Sequence, residues 1–85
     1  MIFISLNRFR GKATKENIER SNKVLASDPK VKVLGFYWTL GRYDSVLIIE
    51  APNEKTAMKI LTQVGDYAAT ETMVAIPREQ AIKLL

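Results

Sequence analysis

The feature that most constrains this chain is a pair of β-rich runs, residues 31–40 and 43–50, separated only by Gly41-Arg42. A two-residue connection between such runs makes an antiparallel hairpin, and glycine at its first central position suits a type II′ turn. Leu40 then opposes Tyr43, Thr39 opposes Asp44, and Trp38 opposes Ser45. Side chains alternate along a strand, so the hairpin divides into two faces. One carries Leu34, Phe36, Trp38, Leu40, Tyr43, Leu47 and Ile49. The other carries Gly35, Tyr37, Thr39, Asp44, Val46, Ile48 and Glu50. The first face predicts a core. The second is mixed, yet the unbroken run Val46-Leu47-Ile48-Ile49 describes a strand covered on both sides.

The remaining periodicities complete the frame. Residues 1–9 alternate as a strand, with Ile2, Ile4 and Leu6 on one side and Phe3, Ser5 and Asn7 on the other. Thr14 is an N-cap for a first helix running to about Ser27, with Glu16 favourable in its first turn. That helix has a thin apolar face of Ala13, Ile18, Val24 and Leu25, with Ser21 and Asn22 between them, and predicts weak anchoring. Asp28-Pro29 ends it. Asn53 caps a second helix over 54–64, where Ala57, Ile60, Leu61 and Val64 fall on one stripe. Gly65 suits the position after it. A fourth strand follows over 69–76, and Pro77 opens a short terminal helix carrying Ala81, Ile82, Leu84 and Leu85. The order is βαββαβ with a tail helix: an α+β, ferredoxin-like fold with a four-stranded antiparallel sheet, expected as a single domain over 1–85.

Such a sheet has two faces and only two substantial helices to cover them. With 85 residues and no cysteine, the chain has no disulfide to compensate for a small core. A second copy packed sheet to sheet is the simplest cover, so self-association as a homodimer or higher closed oligomer is expected. The mixed face then lines a space between paired sheets. Its polar members are Tyr37, Thr39, Asp44 and Glu50, joined by Ser5 and Asn7 from the first strand and Glu71 from the fourth. Apolar walls with a few converging polar groups make small-molecule sites, and Asn7, Tyr37, Thr39, Asp44 and Glu71 are the candidate ligand-binding residues.

The chemistry available is narrow. With neither histidine nor cysteine, Ser-His-Asp and Cys-His machinery, thiolate metal sites and histidine-ligated haem have no residues to build them. Asp44, Glu50 and Glu71 are dispersed, so no metal and no cofactor is expected. The candidates for catalysis are Asp44 as general acid or base, with Tyr37 or Tyr43. Each has a structural reading: Asp44 as a hydrogen-bond acceptor bracing the hairpin, Tyr43 as a packed cross-strand aromatic. The formal charge of +4 is spread along the chain, densest at Arg8, Arg10, Lys12 and Lys15, which reads as a solvated strand exit. The third strand is aliphatic where an RNA-binding sheet places stacking aromatics, so nucleic acid is not an expected partner. No apolar run approaches the length of a membrane span, and the start lacks a leader pattern, so no membrane is expected and a cytoplasmic location is.

Gly35-Phe36-Tyr37-Trp38-Thr39-Leu40-Gly41-Arg42-Tyr43-Asp44, followed by Ile49-Glu50-Ala51-Pro52, resembles the GYD domain family, named for the pattern made here by Gly41, Tyr43 and Asp44. Thr70-Glu71-Thr72 matches that family's closing strand, and the resemblance spans roughly residues 1–77. It implies a ferredoxin-like fold of the dimeric α/β-barrel type and no reaction, the family being of uncharacterised function. Its wider structural neighbours include small isomerases, monooxygenases, haem-handling proteins and effector domains of amino-acid-responsive regulators, a breadth that forbids transferring activity from fold. The first helix looks shorter than the family pattern, which implies a thinner outer layer. The expectation is a homo-oligomeric small-molecule-binding or assembly module with its pocket between paired sheets. The alternative is a small cofactor-free enzyme, isomerase or monooxygenase-like, using Asp44 with Tyr37 or Tyr43.

Overall fold

A computed structural model describes all 85 residues. The strands are β1 (Ile2–Phe9), β2 (Lys32–Trp38), β3 (Ser45–Glu50) and β4 (Ala68–Ala75); the helices are α1 (Lys15–Ala26), α2 (Glu54–Leu61) and α3 (Arg78–Ile82). All pairings are antiparallel and the sheet order is β2-β3-β1-β4, the ferredoxin-like arrangement expected from the element order. Both long helices start as their caps dictate. The Thr14 hydroxyl accepts from the Asn17 N–H at 3.1 Å, and the Asn53 side-chain Oδ1 accepts from the Thr56 N–H at 2.9 Å. Past Leu61, α2 tightens into a 3₁₀ turn over Thr62–Val64. Gly65 therefore stays right-handed at φ −63° and does not adopt a left-handed cap.

The α1 and α2 helices lie on the same face of the sheet. Val24 from α1 and Ala57 and Ile60 from α2 bury against Phe3, Leu47 and Ile49, with Val31 and Ala51 closing the cluster. This core is small: 12 of 85 residues are buried. The radius of gyration is 13.4 Å, against about 12 Å for a compact domain of this length. At the end of the chain α3 has no buried residue, and Ile76, Ile82, Leu84 and Leu85 stand exposed.

Three expectations about faces are corrected. First, Trp38 does oppose Ser45, but a bulge at Leu34 breaks the ladder so that Val33, not Leu34, opposes Ile49. The extra residue shifts parity before Gly35, which alternation alone does not signal. Second, Ser5 and Asn7 do not join the mixed face. Asn7 opposes Ser45 and Ser5 opposes Leu47, so both point to the helix side, and Ile2, Ile4 and Leu6 occupy the open face. Their burial is tolerable because the polar groups satisfy one another. Ser5 Oγ donates to Asn7 Oδ1 at 2.8 Å, Asn7 Nδ2 donates to Ser45 Oγ at 3.0 Å, and Thr72 Oγ1 donates to Ser5 Oγ at 3.2 Å. Third, Phe36 and Trp38 face the helices yet stay 41% and 62% exposed, and Leu40 is wholly exposed. The α1 helix buries only Val24 and does not cover β2.

Candidate functional site

The loop between β2 and β3 is wider than a two-residue turn. The Thr39 N–H donates to the Asp44 carbonyl at 2.8 Å and Thr39 Oγ1 donates to the Tyr43 carbonyl at 2.7 Å. Gly41, at φ 114°, takes the backbone conformation that only glycine adopts without strain. Asp44 sits where this loop meets β1. Its Oδ2 accepts from the Phe9 N–H at 2.7 Å and its own N–H donates to the Asn7 carbonyl at 2.8 Å. The carboxylate thus extends the β1–β3 pairing past the last ladder rung, as in the structural reading of this residue.

The candidate residues do not converge on one point. Tyr43 leaves the loop on the open face, not the core side, and its hydroxyl donates to Glu71 Oε2 at 2.8 Å. Its phenol is pushed above the ordinary tyrosine range by that bond first, and then by desolvation and the nearby negative charge. Arg42, stacked 5.8 Å from the Tyr43 ring centre, and Arg8 oppose the shift. Tyr37 occupies the same cross-strand row as Glu71, through Val46 and Leu6. Three strand spacings separate the two, roughly 14 Å. Tyr37 folds its ring back over Gly35, where an added Cβ would lie 2.9 Å from Cε2. Tyr37, Tyr43 and Glu71 therefore share the open face, Thr39 and Asp44 brace its corner, and Asn7 lies on the far side of the sheet. Asp44, Tyr37 and Tyr43 make no hydrogen bond among their side chains.

The middle of the open face is apolar, with Glu50 and Lys32 at one end of it, beside Ile2, and Arg8 at the other. Ile2, Ile4 and Leu6 of β1 lie beside Val46 and Ile48 of β3 and Met73 of β4, on the face away from α1 and α2.

The helix side holds a feature the sequence reading missed. Between α1 and the end of β2 runs a groove of about 370 Å³, floored by Phe9, Phe36 and Trp38. Phe9 and Trp38 meet edge to face at 5.6 Å. Beneath it a cavity of about 50 Å³ shares Phe9, Phe36, Ser21 and Tyr67 with the groove and reaches Asn7 and Ser45. The α1 wall is held off the sheet by polar anchors. The Arg20 guanidinium grips both oxygens of Asp66 at 2.6 and 2.9 Å, and Ser21 is hydrogen-bonded to the Tyr67 hydroxyl. The Asp66 carboxyl is held below its usual range by the Arg20 bond. The only warning in the sequence was the thin apolar face of α1, broken by Ser21 and Asn22.

A sequence model of the GYD domain matches residues 8–85, nearly the whole chain. The chain belongs to the GYD domain family. No curated protein matches it. Among solved structures, this GYD chain is similar to LrpC from Bacillus subtilis, at 18% identity and a TM-score of 0.68, covering 91% of this chain and 51% of that one. The GYD chain thus spans about half the length of LrpC. It is also similar to a hypothetical protein from Pyrococcus horikoshii, at 25% identity and a TM-score of 0.58, covering 92% and 93% of the two chains. A dimeric ferredoxin-like protein of unknown function from Thermobifida fusca matches at 16% identity and a TM-score of 0.51, covering 87% and 89%. These likenesses establish the ferredoxin-like fold of a small α+β module. No helix is long and apolar enough to cross a membrane.

Proposed function

We propose that this GYD module, acting as one domain over residues 1–85, pairs with a second copy through the open face of its sheet and holds a small molecule at the edge of that pairing. The observation that carries the reading is the row of half-buried Ile2, Ile4, Leu6, Val46 and Ile48 with exposed Met73 on the sheet face away from α1 and α2. Water against so continuous an apolar strip is unfavourable, and a two-fold partner presents the same strip. The similar Thermobifida fusca protein is described as dimeric, which favours the same state here. Tyr37, Tyr43 and Glu71 supply the polar margin for a ligand. No reaction enters the proposal. Asp44 Oδ2 already accepts from the Phe9 N–H, and neither tyrosine hydroxyl is hydrogen-bonded to it.

Light scattering tests the pairing. At micromolar concentration the wild type should have twice the 9.6 kDa chain mass. Ile4 opposes Ile48 and Met73 on the open face, so Ile4→Glu should give a folded monomer. A monomeric wild type, or an Ile4→Glu dimer, would end the reading. A thermal-shift screen tests the ligand. A molecule at 100 times its Kd stabilises by about 2.7 kcal/mol, and for a margin site that gain should fall in Tyr37→Ala and Glu71→Gln.

A further inference from the structure

On the face of the sheet opposite the pairing strip, we infer that the groove between α1 and β2 is a binding site for a small amphipathic carboxylic acid, its apolar body on the aromatic floor and its anion at the Lys12 end. Four observations lead there. At about 370 Å³ the groove falls at the small end of the range for ligand pockets. Its floor offers three aromatic rings, those of Phe9, Phe36 and Trp38, of which Phe36 and Trp38 are 41% and 62% exposed. Its polar wall carries one cation and two side-chain amides. Lys12 lines it, and Lys12 is in no ion pair, the single side-chain ion pair of the molecule being Arg20–Asp66. Asn17 spends its backbone N–H on the Thr14 cap and its carbonyl on the Ser21 hydroxyl, and its amide is uncommitted; the Asn22 amide stands on the same wall. Finally, no carboxylate lines the groove, although Glu16 and Glu19 belong to α1.

The combination selects one ligand chemistry. An aromatic floor accepts a planar or aliphatic body, and burying it recovers free energy roughly in proportion to area. A cation with no competing acid favours an anion over a cation, and the two amides can each donate to it. The small cavity below is already furnished by the Asn7–Ser45 bond. The ligand therefore lies along the groove and does not plunge through it.

Trp38 is the only tryptophan of the chain and lies on the floor, so its fluorescence reports occupancy directly. The probes are 2-naphthoate and its neutral partner 2-naphthamide. Naphthoate should change Trp38 emission saturably, and naphthamide should bind more weakly. Lys12→Gln should weaken naphthoate alone by about two- to fivefold, the scale of an exposed ion pair. Ile18→Glu places a carboxylate on the groove wall at a position already 40% exposed, and should abolish naphthoate binding where Ile18→Gln does not. Amide shifts should centre on Asn17, Ile18 and Ser21. All of this should persist in the Ile4→Glu monomer, which separates this site from the pairing reading.

Equal affinity for the two probes with no effect of Lys12→Gln would overturn the anion preference. Shifts centred on Ile4 and Val46, or no saturable response to either probe, would overturn the site. So would a Trp38 signal that follows protein dilution and vanishes in Leu84→Glu, since the terminal helix of a neighbouring copy would then fill the groove.

Discussion

Asp44 shows how one side chain can look like chemistry in sequence and act as a fastener in space. It ties the loop to β1 through the Phe9 N–H, a charge-assisted bond of 2.7 Å. Asp44→Ala should therefore destabilise the fold by about 1–2 kcal/mol in urea titration. Asp44→Asn, whose amide oxygen can still accept from Phe9, should cost clearly less. Equal losses in the two variants would show that the carboxylate does something other than accept that bond. Tyr43 gives a second residue-scale expectation. Its raised phenol means that the Glu71 bond contributes fully below the ordinary tyrosine pKa and is lost as pH rises through the shifted value. Ultraviolet titration should find Tyr43 ionising late, and Glu71→Gln should lower its midpoint. Gly35 gives a third. A methyl there meets only the far end of the Tyr37 ring, so Gly35→Ala should keep the fold and swing that ring outward. Nuclear Overhauser contacts from Tyr37 would show the move.

Of the two long helices, α1 is held less by apolar burial than α2, which buries Ala57 and Ile60. Val24 is the only buried residue of α1, and Arg20–Asp66 supplies its clearest polar anchor. The Asp66 carboxyl is lowered in the fold, so its contribution is present above the ordinary carboxylate pKa and fades as pH falls through the depressed one. Hydrogen exchange along α1 should accelerate ahead of the sheet in mild acid, and Asp66→Asn should show the faster exchange already at neutral pH. How far each element could be read from the residues follows the same physics. Caps and hairpin register were legible because they depend on neighbours in sequence, and Thr14, Asn53 and the Trp38–Ser45 pairing all stand as expected. The faces of β1 were not. Both of its sides suit burial once Ser5, Asn7 and Ser45 satisfy one another, and that bond set exists only after strands distant in sequence meet. Leu34 was illegible for a related reason, since nothing in its own alternation marks it as the extra residue.

At the scale of the molecule, the α+β ferredoxin-like order followed from four apolar runs and two capped helices, and the proposal of a second copy over the open face starts from Val46-Leu47-Ile48-Ile49. The candidate site was less legible. Its residues were grouped by alternation, and folding distributed them: Tyr37, Tyr43 and Glu71 on the open face, Asn7 beneath the helix-side groove. The groove depends on what α1 fails to cover, which no residue of the groove announces by itself. The bulge at Leu34 carries one more consequence. It interrupts one border of the sheet, while β4 on the other border pairs along all eight of its residues and presents an unbroken outer rim. Growth by adding strand to strand needs two usable rims, and this sheet has one. A rim-to-rim encounter through β4 would leave only bulged rims outward, so it would terminate after two copies and could not propagate into a fibre.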